Sequence, residues 1–132
     1  MNIEWKYKIE VVNTDIFNEI EKERNITFPK DLRELIIEAN AATPDKYNFM
    51  AGSSEKVLGA ILSFNKNEND TDTIFTALNT ITDTKIIPFG IDPFGNYICY
   101  SIGDNSVVFW DHENDAVTPI SESLSSFLDS LY

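Results

Sequence analysis

Apolar residues recur along this chain with two different periods, and the change between them divides it. Near the start the spacing is helical. Ile16, Phe17 and Ile20 share one helix face while Glu19, Glu21, Lys22 and Glu23 occupy the other, with Thr14 placed to cap the helix and Asn25 to end it. Pro29 fits the first turn of a second helix, where its missing N–H costs nothing. Leu32, Leu35, Ile36 and Ala39 follow at helical spacing, and Asn40 is placed to stop the run. From Tyr47 the period shortens. Tyr47 and Phe49 alternate with polar neighbours, and 56–64 is a second apolar run around Gly59, so both predict strands. The Asn- and Asp-rich stretch 65–72 predicts a loop, because those side chains compete with regular backbone pairing. Over 73–80 two signals conflict. Ile74, Ala77, Leu78 and Ile81 fit a helix, whereas the Thr-rich, β-branched composition favours extended chain; the spacing decides for a short helix.

The last third is patterned most clearly. Three short runs of β-branched and aromatic residues, 85–91, 97–102 and 107–110, are separated by turn residues and predict an antiparallel meander. In the first turn, 92–96, Asp92 can accept a backbone N–H, Pro93 fixes φ and Gly95 tolerates the left-handed conformation. The second turn is 103–106 and the third 112–115. Ser121 is then placed to cap a final helix that turns Leu124, Phe127, Leu128 and Leu131 inward. The predicted architecture is α+β, a mostly antiparallel sheet flanked by helices. No repeat or linker divides the chain, so a single domain over 1–132 is expected.

Charge changes the picture more than composition does. The chain carries 22 acidic and 10 basic residues, a formal net charge of −12. That balance disfavours nucleic acid and anionic lipid and favours a basic partner. It is also uneven: beyond Lys85 there is no Lys or Arg, while Asp92, Asp104, Asp111, Glu113, Asp115, Glu122 and Asp129 are all acidic. No apolar run approaches the ~20 residues that cross a bilayer, and the first residues do not read as a signal sequence, so a cytoplasmic protein is expected. The lone Cys99, set in an apolar strand with no cation beside it, reads as a buried structural thiol.

Candidate chemistry is sparse. One His, one Cys and scattered carboxylates offer no recurring metal-ligand spacing, and the stretch 111–115 reads as a turn because it lacks the central Gly and length of a calcium loop. A nucleophile–His pair has only His112 to use, in a polar turn, and the five glycines form no phosphate-cradling loop. No catalytic residue, metal or cofactor is expected. The aromatics Phe89, Tyr97, Tyr100, Phe109 and Trp110 read as core, whereas Phe94, at the tip of a Pro–Gly turn, reads as exposed.

Read in order, these segments resemble the SUKH superfamily, which includes fungal cell-wall-synthesis regulators and bacterial immunity proteins that neutralise polymorphic toxins. The resemblance rests on an amphipathic helix before Ile26-Thr27-Phe28-Pro29 and a helix ending near Asn40, followed by Ile87-Pro88-Phe89-Gly90-Ile91-Asp92-Pro93-Phe94-Gly95-Asn96. Val108-Phe109-Trp110-Asp111-His112-Glu113 and the closing Ser123-Leu124-Ser125-Ser126-Phe127-Leu128 complete it. One departure is that members often carry Asn-Gly-Gly after the second helix, where this chain has Asn40-Ala41-Ala42; alanine lacks glycine's freedom at positive φ, so a different helix exit is expected. The resemblance implies a twisted, mostly antiparallel sheet beside helices, and binding rather than catalysis. It implies as partner a cognate toxin, often a nuclease, whose basic surface would complement this chain; a regulatory module in signalling or cell-wall synthesis is the alternative. The partner-binding residues expected on the meander are Asp92, Asp104, Asp111, Glu113 and Asp115, with Phe94 as an apolar anchor.

Overall fold

The computed structural model describes residues 3–66 and 72–132, so most of the loop expected over 65–72 lies outside the described residues. The first helix, α1 (Ile16–Arg24), buries Ile16, Phe17 and Ile20 as their spacing requires. Thr14 does not cap it. Asp15 holds the N-cap position without a side-chain bond, and Asn13 organises the turn before it, accepting from the Asp15 N–H at 3.0 Å through Oδ1. Asn25 ends α1 in the left-handed conformation, φ 56°. Pro29 stands immediately before α2 (Lys30–Ala39) rather than inside its first turn, and Leu32, Leu35, Ile36 and Ala39 are buried.

At the exit of α2 the left-handed residue is Ala41, φ 61°, not Asn40. Alanine thus adopts the conformation that glycine would adopt freely. Asn40 is fully buried and bridges two distant segments. Its Nδ2 donates to the Ile9 carbonyl at 2.9 Å and its Oδ1 accepts from the Phe64 N–H at 2.8 Å. Asn65 repeats the device, accepting from Val12 N–H and donating to the Glu10 carbonyl, both at 2.8 Å. Two buried amides, together with the Ile9 N–H donating to the Asn40 carbonyl at 3.0 Å, therefore hold residues 9–12 as a strap against the exit of α2 and residue 65, with no backbone ladder there.

A short pair that the hydrophobic pattern does not announce, β1 (Trp5–Lys6) and β2 (Thr43–Pro44), closes the strap's outer end. The apolar run 56–64, expected as one strand, serves two sheets. β3 (Asn48–Ala51) and β4 (Ser54–Val57) form a hairpin around Gly52; the chain then turns at Leu58–Gly59 and enters β5 (Ala60–Ile61), which pairs with β6 (Ile86–Ile91). Gly59 permits the switch, since a Cβ there would lie 3.1 Å from the Ile91 carbonyl oxygen. α3 (Ile74–Thr80) is a helix, as its spacing predicts, with the Thr73 hydroxyl accepting from the Thr76 N–H.

The meander forms as patterned: β6, β7 (Tyr97–Ser101) and β8 (Ser106–Asp111) are antiparallel neighbours, with a bulge between Pro88 and Gly90. A fourth strand extends it. β9 (Ala116–Ser121) pairs with β8 and completes a five-stranded sheet in the order β5-β6-β7-β8-β9. Pro119 argues against a strand by composition, yet an edge strand tolerates a residue with no N–H on its open side. The cap of α4 (Leu124–Ser130) is accordingly Ser123 rather than Ser121, its Oγ accepting from the Ser126 N–H at 3.0 Å. The observed fold is the α+β class expected.

Aromatic contacts anchor the core at two points. Phe17, Phe28 and Phe64 meet between α1 and the strap, while Phe49, Phe109, Phe89 and Phe127 join β3, the sheet and α4. Arg24, in the last turn of α1, donates to the carbonyls of Leu78 and Ile81 and so satisfies the C-terminal end of α3. Cys99 is enclosed in this core, and burial pushes its thiol up, away from the reactive thiolate.

Candidate binding surface

Alternate turns of an antiparallel meander share an end, so the β6–β7 turn (92–96) and the β8–β9 turn (112–115) lie together, opposite the β7–β8 turn (102–105). Phe94, Asp111, Glu113 and Asp115 are thereby brought to one end. Asp104 is at the other.

The two adjoining turns are joined by one side chain. Asn96 Oδ1 accepts from the His112 N–H at 3.0 Å, and His112 Nδ1 lies 2.6 Å from the same oxygen. Because Asn96 Nδ2 donates to Asp92 Oδ2 at 2.9 Å, its amide is oriented, and the carbonyl oxygen requires the His112 tautomer with a proton on Nδ1. Asp92 is only 5% exposed. Its Oδ1 accepts from the Phe94 and Asn96 N–H groups at 2.9 and 2.8 Å, so its carboxylate is consumed inside the turn. As a contact residue it is corrected: it shapes the turn that presents Phe94, whose ring is 75% exposed.

The other carboxylates divide their oxygens between structure and solvent. Asp111 Oδ1 accepts from the Glu113 N–H at 2.9 Å. Asp115, at φ 58°, accepts from the Trp110 indole N–H through one oxygen. Glu113 is exposed, and its carboxylate forms no hydrogen bond or ion pair among the described residues. Behind the turns, Trp110 packs against Tyr97 with ring centroids 5.8 Å apart. Burial, and then the charge of Asp72, push the Tyr97 phenol up, so it stays neutral. The result is an exposed aromatic ring beside three carboxylates on a turn pair locked by Asn96 and His112. At the far end Asp104 accepts from the Ser106 hydroxyl and N–H at 2.7 and 3.2 Å, bonds that hold its carboxyl below the usual range.

One contact is not announced by the sequence pattern. The Tyr100 hydroxyl donates to Asp31 Oδ1 at 3.0 Å, linking the sheet to the start of α2, and burial followed by this bond pushes the phenol up to about 12. The signal available was the spacing of Asp31, Glu34 and Glu38, which places three carboxylates on one helix face. Among the described residues no group of three or more His, Cys, Asp or Glu is arranged to hold a metal ion, and no helix is long and apolar enough to cross a membrane.

A family model described as SMI1-KNR4 cell-wall, of the SUKH_6 group, matches residues 14–128. The match runs from the turn before α1 to within α4, and so includes both turns of the candidate surface. A search of curated proteins finds no match.

Proposed function

Because the chain belongs to the SUKH superfamily, whose members are protein-interaction domains of the immunity or regulatory type, we propose that it is an immunity protein that binds and neutralises a cognate toxin with a basic active-site surface, of the nuclease kind. The carrying observation is the paired turn end, where Phe94 stands exposed beside Asp111, Glu113 and Asp115 on a segment with no cation. A nuclease must hold phosphate and therefore presents positive charge; an anionic rim steers it inward while an aromatic ring anchors it. Asp104, at the opposite end, contributes to the field and not to that contact.

The test uses whichever basic toxin domain a low-salt pull-down with the tagged chain recovers from its host, purified on its own. Full-chain protein should abolish its activity at equimolar concentration, with association slowing steeply as salt rises. Phe94→Ala combined with Glu113→Lys should weaken binding by about tenfold or more. Asp115→Asn, which keeps the acceptor for Trp110, should weaken it less. Full inhibition by the double variant would remove the turn end from the interface, and failure of the parent chain to inhibit would end the immunity reading. The cell-wall description of the matching family favours a second reading, a regulatory module. In that case the chain binds components of cell-wall synthesis or signalling and protects against no toxin.

A further inference from the structure

We propose that His112 is itself a contact residue of the paired turns, its Nε2 accepting a hydrogen bond from an Arg or Lys of the partner, so that the neutral ring binds and the protonated ring does not. This rests on the reading of the turn end as the binding surface, and it adds the atom and the proton that control that surface.

The state of the ring follows from hydrogen bonds that begin inside the fold. Asp92 Oδ2 accepts from Asn96 Nδ2 at 2.9 Å, and the His112 backbone N–H donates to Asn96 Oδ1 at 3.0 Å. Two independent partners therefore set which end of the amide faces the ring. An amide oxygen can only accept, and Oδ1 lies 2.6 Å from Nδ1, so the neutral ring carries its one proton on Nδ1 and a lone pair on Nε2. His112 is exposed, and its Nε2 forms no hydrogen bond or ion pair among the described residues.

The surroundings of Nε2 decide what can meet it. Asp111, Glu113 and Asp115 stand beside the ring on its own turn, and Asp92 lies behind Asn96 on the adjoining one. Beneath them Tyr97 is a neutral phenol under the charge of Asp72, and the Gly59 backbone against Asp92 brings no charge. Beyond Lys85 the chain has no Lys or Arg. The ionisable side chains facing outward here are thus acceptors while the ring is neutral, and a guanidinium or ammonium group, which only donates, is their complement. A proton on Nε2 turns that acceptor into a donor and sets a positive charge against the partner's own. A cationic partner opposes that proton, so the complex holds fewer protons than the free chain and affinity falls as pH falls. Histidine is the side chain whose charge ordinarily changes between about pH 5 and 8, and the chain has one.

The experiment follows the ring nitrogens by NMR in isotope-labelled full chain, where a single histidine gives a single imidazole pattern. The probe is a synthetic Gly-Arg repeat peptide at low salt, with a Gly-Glu repeat as control. In the free chain at about pH 7.5, Nδ1 should carry the proton and Nε2 none. The Arg peptide alone should shift Nε2 and the Phe94 ring, with affinity falling about fivefold from about pH 7.5 to about pH 5.5. His112→Asn keeps an N–H donor for Asn96 but lacks Nε2; it should retain thermal stability, bind the peptide more weakly at the higher pH and lose the pH dependence. The opposite tautomer, an unmoved Nε2, or the same pH dependence in His112→Asn would each overturn the proposal. Toxin inhibition that ignores both pH and His112→Asn would overturn it too and leave the immunity reading standing. Failure to inhibit the recovered toxin domain ends that reading, and the peptide outcomes still decide this one.

Discussion

Ala41 carries a conformational cost that its neighbours do not. A left-handed alanine is disfavoured by roughly 1–2 kcal/mol. Glycine there gives back about 0.4–1 kcal/mol through its freer unfolded chain. The methyl contributes little in return, since Ala41, though buried, is not part of the core cluster. Ala41→Gly is therefore expected to stabilise the protein by about 0.5–1 kcal/mol, seen as a rise in Tm of roughly 2–4 °C in thermal denaturation. A fall would mean that the backbone gains more from the methyl than it loses in strain. The same residue shows the limits of reading composition alone. Asn40-Ala41-Ala42 suggested a changed helix exit, yet the left-handed step is kept, because the amide of Asn40 is needed at Ile9 and Phe64 and fixes the chain's path. Asp92 is the parallel case: its turn sequence marks it as an acceptor of a backbone N–H, but not that the Asn96 amide takes its second oxygen and leaves the carboxylate buried.

Among elements, the strap depends on side chains where a sheet would depend on a ladder. Asn40→Ala leaves the Phe64 N–H without its partner in a buried place, at about 1–3 kcal/mol for an unsatisfied group, and removes the bond to the carbonyl of the more exposed Ile9. A loss of about 2–4 kcal/mol in all is expected, as a lower urea midpoint at unchanged slope. A loss below about 1 kcal/mol would show that the strap is held elsewhere. Legibility in the sequence follows the same division. α1 to α4 and β6 to β8 were readable, because each buries a periodic face of its own residues. β1, β2 and β5 are two-residue strands whose partners are distant in sequence, too short for a period to show. β9 was hidden by Pro119, which rules against an interior strand but not an edge one. Of the candidate site, Phe94 and the acidic turns were readable from composition, while the separation of Asp104 from them needed the order of the strands.

At the scale of the molecule, a net charge of −12 opposes compaction through self-repulsion. Ion pairs such as Lys8–Glu10 and Lys66–Glu19 are solvent-facing and contribute little. Stability should therefore rise with ionic strength: Tm should increase on moving from about 10 mM to about 150 mM NaCl, where the screening length shortens from about 30 to about 8 Å. A flat response would indicate that the carboxylates lie far enough apart to be screened already. The same charges keep copies of the chain apart, and the main sheet adds its own barrier. It begins with a strand of two residues and ends with one interrupted by Pro119, so neither margin offers an unbroken row of backbone donors and acceptors. Any partner of that sheet is left with side chains to recognise. Side chains can be exchanged one at a time without disturbing the fold, so a lineage built on this scaffold is free to follow a changing partner by point substitution.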